Sequence, residues 1–156
     1  AAALPKAQIK AIGDLAAEEV DRDLPAAPSD TLGIRQTLDS DGRAALDDLV
    51  FESGSSALSE GEYASLAEVA AWLEANPDGT IALVGHTDAS GSLAANIALS
   101  ERRAEAAALA LIESYGADRS RIVSEGVGFL APRATNADEA GRQKNRRVEV
   151  VVTSTR

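Results

Sequence analysis

Gly85-His-Thr-Asp-Ala-Ser-Gly-Ser-Leu-Ala-Ala-Asn-Ile-Ala-Leu-Ser-Glu-Arg-Arg-Ala-Glu-Ala-Ala107 decides the reading of this chain. It is preceded by Thr80 to His86, where Ile81 and Leu83 alternate with Ala82 and Val84, the period-2 pattern of a strand. The strand breaks at Asp88-Ala-Ser-Gly91 and a helix follows at once. Ile97, Ala104, Ala108, Leu111 and Tyr115 form the core stripe of that helix, and Gly116 is its stop. Asn96 and Arg103 stand nearly two turns apart, so they share a stripe with Leu99 and Ser100 between them. A carboxylate just past the strand and a guanidinium on the helix thus converge on one mouth, where free backbone N–H groups and the helix dipole also favour an anion. The pair suits a zwitterion: Asp88 accepts from an ammonium and the fork of Arg103 grips a carboxylate.

Upstream of the strand, Ser59-Glu-Gly-Glu62 has capping-box spacing, and Leu66, Val69, Ala70 and Leu73 follow at i, i+3, i+4, i+7. This predicts a helix of about four turns running to Asn76-Pro77. Arg121 to Glu125 is expected as a third strand, and Val148, Val150 and Val152 alternate in a last one. The order predicts a two-layer α/β (α+β) sandwich, βαβαβ-β, with a mixed sheet and its helices on one face. Upstream, Ile9, Ile12, Ala16 and Val20 give residues 5–23 a short amphipathic helix. Leu24-Pro-Ala-Ala-Pro-Ser-Asp30 reads as an extended linker, because proline disfavours helix before it and removes a donor. The division is then an arm and linker over 1–30 and a domain over 31–156. Thr31 to Leu38 and Ala44 to Phe51 flank the turn-forming Asp39-Ser-Asp-Gly42, which predicts a hairpin.

Composition bounds the function. A chain of 156 residues, 45% hydrophobic, suits one core of ordinary size. A net charge of −10 argues against nucleic acid or an anionic membrane surface as main partner. The absence of cysteine excludes disulfides, thiolate catalysis and a cysteine-borne lipid anchor in this stretch. No run approaches the ~20 apolar residues of a membrane helix, and no basic-then-apolar leader opens the chain, as expected of a mature or excised part of an exported protein. His86 is the sole histidine, placed by alternation on the face of Asp88; with no further histidine or cysteine, no metal site is expected. Gly126-x-Gly128-x-x-Ala131 imitates a dinucleotide fingerprint, but Pro132 stands where a helix should open, so it is a loop motif.

Gly85-His86-Thr87-Asp88, Asn96, Leu99-Ser100 and Arg103-Ala104 resemble the signature of the OmpA-like C-terminal domain family. The match continues with Gly126-Val-Gly128, Pro132, Asn136, Gly141-Arg142 and Asn145-Arg146-Arg147-Val148-Glu149-Val150, and Phe51 to Leu58 resembles the family's opening strand and turn. The resemblance covers roughly residues 44–153. It implies non-enzymatic binding of peptidoglycan, with no cofactor, the equivalents of Asp88 and Arg103 holding the amino and carboxyl groups of diaminopimelate in the stem peptide. Phe51, Ser53, Gly54, Thr87, Asn96 and Leu99 complete the implied ligand site, Gly54 through its backbone, since many relatives carry a bulkier polar residue there. The implied setting is a soluble periplasmic domain of an exported Gram-negative envelope protein, with the parent anchored in either membrane. A homodimer or another envelope protein as partner stays open.

The residues also admit structural roles: Asp88 capping the turn, Arg103 in a surface pair with Asp88 or Glu105, and Asn96 bonding the loop. Adjacent arginines 146 and 147 point to opposite faces, and ion pairing is expected of both. Under the ligand reading, by contrast, removing Asp88 or Arg103 is expected to release the protein from sacculi while leaving thermal melting nearly unchanged. The competing functions are a cell-wall hydrolase or transferase pairing Asp88 with Glu52 or Glu125, and a protein-interaction module acting through the N-terminal arm.

Overall fold

The computed structural model describes residues 26–154. The chain divides into two compact units, residues 1–33 and 34–156. The amphipathic helix expected over residues 5–23 lies outside the described residues. Helix α1 (Ala26–Asp41) replaces both the extended linker after Pro25 and the first arm of the expected hairpin. Pro28 is tolerated because it falls in the first turn, where an N–H has no intrahelical acceptor. Ile34 and Leu38 are buried at i, i+4, a helical spacing. Asp39-Ser-Asp-Gly42 is the helix end: Gly42, at φ 74°, donates to the Leu38 carbonyl at 3.1 Å. A left-handed glycine serves a hairpin or a helix stop equally well, which is why the local signal misleads.

Strand β1 (Arg43–Ala45) pairs antiparallel with the last strand β4 (Arg147–Val152), which pairs antiparallel with β2 (Ile81–His86), and β2 is parallel to β3 (Ile122–Gly126). The sheet is mixed, in the order β1-β4-β2-β3. Ile81, Leu83, Val148 and Val150 face one core with Leu66, Val69 and Leu73 of α2 (Ala64–Ala75) and Ala104, Ala107 and Leu111 of α3 (Leu93–Tyr115). The first strand is therefore 43–45, and Phe51 to Leu58 is loop. The Phe51 carbonyl is satisfied by the Arg146 side chain and not by a ladder.

The expected capping box does not form. α2 starts only at Ala64, after Tyr63, whose side chain makes no cap. Asp48 supplies the cap from 17 residues upstream, accepting from Ser65 N at 3.0 Å and from Ser65 Oγ. Helix α3 keeps its local signals: Ser92 Oγ accepts from Ala95 N at 3.2 Å, and Gly116, at φ 69°, closes the helix with Ala117 N bonded to the Leu111 carbonyl. It lies so close on the sheet that a Cβ at Gly85 would stand 1.8 Å from the Ser100 carbonyl oxygen, and one at Gly126 would stand 2.4 Å from Glu101 N. The two glycines are thus dictated by helix-on-sheet contact. A short helix α4 (Glu139–Asn145), capped by Asp138 at Gly141 N, precedes β4. Among the described residues no helix is long and apolar enough to cross a membrane.

Candidate functional site

After His86 the chain leaves the sheet for the start of α3. Thr87 N donates to the Gly128 carbonyl at 2.9 Å, and Asp88 Oδ1 accepts from Ser90 N at 3.0 Å, an Asx turn. Asn96 Nδ2 reaches back to the carbonyls of Ser90 (2.7 Å) and Ser92 (2.9 Å), so its amide holds the 88–92 loop.

Arg103 is fully buried. Its Nε donates to the Ser55 carbonyl at 2.8 Å, Nη1 to that of His86 at 3.1 Å and Nη2 to that of Glu52 at 3.0 Å. Its Cζ lies 5.1 Å from the centroid of the Phe51 ring. One guanidinium thus ties α3, the end of β2 and the 52–55 loop together. The expected surface pair with Asp88 or Glu105 is absent: no carboxylate among the described residues lies within 4.0 Å of it. Burial, reinforced by the nearby Arg146 charge and opposed by Asp88, pushes its pKa down to about 10, so it is cationic at neutral pH.

Asp88 pairs instead with Arg146, Nη1 to Oδ2 at 2.8 Å with both side chains buried. Burial opposes ionisation of Asp88, but hydrogen bonds from Arg146 and Ser90 outweigh it and hold the carboxyl below its usual range. Arg146 also donates to the Phe51 carbonyl at 3.2 Å, to Gln143 Oε1 at 2.6 Å and to Glu139. Asp88 and the 51–55 loop, which face each other, therefore rest on two buried arginines. Arg147 points to the opposite side of the sheet, as alternation predicts, and bonds Glu149 at 2.6 Å.

His86 belongs to that opposite side, opposed to Arg147 in the ladder and 3.7 Å from Glu149. The expectation that it shares a face with Asp88 fails because the strand ends at His86 and the alternation ends with it. Burial first, then the Arg147 charge, lowers its pKa to about 4, against the opposing pull of Glu149, so it is neutral in the fold. Among the described residues no group of histidine, cysteine and carboxylate side chains could hold a metal ion.

Asp88 and Arg103 open onto one cavity of about 250 Å³, whose wall also includes Ser53, Gly54, Thr87, Asn96 and Leu99. Phe51 does not reach the cavity; it lies beneath Arg103 as the platform of the guanidinium. Gly54, at φ 75°, has no atom within 4 Å of a would-be Cβ, so backbone conformation and not space favours glycine there. Sequence reasoning missed Arg102, Ser90 and Ala95, which complete the wall. The spacing of Ala95, Leu99 and Arg102, at i, i+4 and i+7, was the available signal. Ligand pockets for drug-sized molecules run to ~300–1,000 Å³, so this cavity has room for a small group only.

The fold is thus a two-layer α/β domain with a charged cavity between the end of a central strand and the start of the long helix. The model of the OmpA family matches residues 50–146, and the chain belongs to that family. It is 36% identical over 123 residues to outer membrane porin F of Pseudomonas aeruginosa, a match covering 74% of this chain and 35% of the porin. It is 39% identical over 104 residues to the peptidoglycan-binding protein ArfA of Mycobacterium tuberculosis, covering 67% and 32%. The peptidoglycan-associated lipoprotein of Burkholderia pseudomallei superposes with a TM-score of 0.61 at 30% identity, over 67% of this chain and 88% of that one. The chain spans between about a third and a half of the curated relatives it matches.

Proposed function

We propose that this domain binds peptidoglycan through the diaminopimelate residue of the stem peptide, Asp88 taking the free ammonium and Arg103 the adjacent carboxylate. The observation that carries the reading is Arg103: a buried guanidinium in a cavity wall with no carboxylate of the described residues within 4.0 Å, sharing that wall with an ionised Asp88. A desolvated cation without an acid partner is costly, and a ligand carboxylate relieves that cost. Asp88 accepts hydrogen bonds from Ser90 and Arg146, while a carboxylate has about four lone-pair sites, so room for an ammonium remains. Two similar proteins carry peptidoglycan in their names, which supports the same ligand class here.

The chemistry is binding and not catalysis. Asp88 is held ionised, unlike a general acid, and neither Glu52 nor Glu125 lines the cavity beside it. The Glu52 backbone serves Arg103, and Glu125 stands opposite Val84 in the β3 ladder. The domain then holds an envelope protein or assembly to the cell wall from the periplasm.

Co-sedimentation with purified sacculi tests this. The protein is expected to pellet with diaminopimelate-containing wall and much less with lysine-type wall. Asp88→Asn should remain in the supernatant while keeping its fold by circular dichroism. Equal pelleting of wild type and Asp88→Asn would remove the site assignment, and wild type left in the supernatant would remove the function.

A further inference from the structure

Arg102 is not used by a zwitterionic head group, yet it lines the same cavity as Arg103. The two adjacent arginines are built for different tasks. Three of the five N–H groups of Arg103 are already given to the carbonyls of Glu52, Ser55 and His86. Arg103 is therefore fixed in place and has at most one carboxylate's worth of donors left. Arg102 is exposed and makes no hydrogen bond or ion pair with any described residue, although Glu105 stands three positions on along the same helix and the chain carries a net charge of −10. An arginine without a partner among the described residues of so acidic a chain, at the mouth of a cavity, is placed to take an anion from outside.

Charge matching gives the ligand class. Asp88 is balanced by Arg146, but Arg102 and Arg103 have no carboxylate within 4.0 Å among the described residues. A head group with one carboxylate leaves one of the two cations unmatched. We propose that Arg102 is a second carboxylate subsite, and that the cavity reads a stem peptide at two places: the zwitterionic head group at Asp88 and Arg103, and a neighbouring free carboxylate of the same peptide at Arg102. The proposal rests on the cavity being a stem-peptide site. Because Arg102 is exposed, its contribution is screened by salt and modest, whereas that of the buried Arg103 is not.

The test is calorimetric titration with the tripeptide L-alanyl-γ-D-glutamyl-meso-diaminopimelate and with an analogue whose carboxylates outside the zwitterionic head group are amidated. Wild type should bind the free acid up to roughly fivefold more tightly than the amide, as a ~1 kcal/mol exposed pair allows, with the difference shrinking at high salt. Arg102→Gln should bind both peptides equally, at the wild-type affinity for the amide. Full discrimination retained by Arg102→Gln, or none in wild type, overturns the subsite. If Asp88→Asn loses both peptides while Arg102→Gln matches wild type, the stem-peptide reading stands and the subsite alone falls. If wild type binds neither peptide, both fall.

Discussion

Arg103→Ala should destabilise the domain, against the sequence-based expectation of nearly unchanged melting. The substitution removes the donors of three backbone carbonyls, each bonded at 2.8–3.1 Å. A buried carbonyl left without a partner, as at His86, costs about 1–3 kcal/mol, and the half-buried ones of Ser55 and Glu52 fall at the lower end because water can reach them. Loss of the Phe51 stack adds about 0.5–1 kcal/mol. Against this, deleting a desolvated cation that has no carboxylate partner among the described residues returns part of its burial cost. The net expectation is a loss of about 3 kcal/mol. At roughly 3–5 °C per kcal/mol for a domain of this size, the melting temperature should fall by about 10–15 °C. Thermal and urea denaturation of wild type, Arg103→Ala and Arg103→Lys measure it. Lysine should be intermediate, since one ammonium does not span three carbonyls that a planar fork reaches. Arg102→Ala, one residue away and exposed, should stay within ~0.5 kcal/mol of wild type. A melting temperature for Arg103→Ala within 2 °C of wild type, on the order of the error in such a comparison, would refute the idea that Arg103 holds the 52–55 loop.

His86 has a folded-state pKa of about 4 against 6.5 for the free side chain, so the unfolded chain binds the proton more tightly. Its contribution to stability is complete above pH 6.5 and is lost as pH falls from there towards 4, by roughly 3 kcal/mol at ~1.4 kcal/mol per pH unit. Urea denaturation across pH 4–7 should show this slope in wild type and a flatter profile in His86→Gln; parallel profiles would contradict it. Gly85→Ala places a Cβ 1.8 Å from the Ser100 carbonyl oxygen and forces α3 off the sheet, with an expected loss above ~4 kcal/mol. Gly54→Ala meets no atom within 4 Å and bears only its left-handed backbone, about 1–2 kcal/mol. Equal chemical denaturation midpoints for the two variants would disprove the close approach of helix and sheet.

Strand β2, the loop at Asp88 and helix α3 are legible in the amino-acid sequence because their signals are local. The alternation of Ile81 and Leu83 and the stop at Gly116 act within a turn or two of chain and lie where expected, and the Ser92 cap that the structure adds is equally local. The convergence of Asp88 and Arg103 on one cavity is readable for the same reason, since a short loop and about three helical turns separate them. The identity of their partners is not. Arg103 is held by carbonyls 48 and 51 residues upstream, and Asp88 by an arginine 58 residues downstream. Asp48 displaces the local capping box of α2 from 17 residues away. Asp39-Ser-Asp-Gly42 ends a helix because Leu38 and Trp72 offer a core and a hydrogen bond that a hairpin would leave unused. Local periodicity settles which elements form. Where a buried polar group can be satisfied by more than one partner, the choice waits until distant segments are packed together, because only then does burial make an unmade hydrogen bond costly.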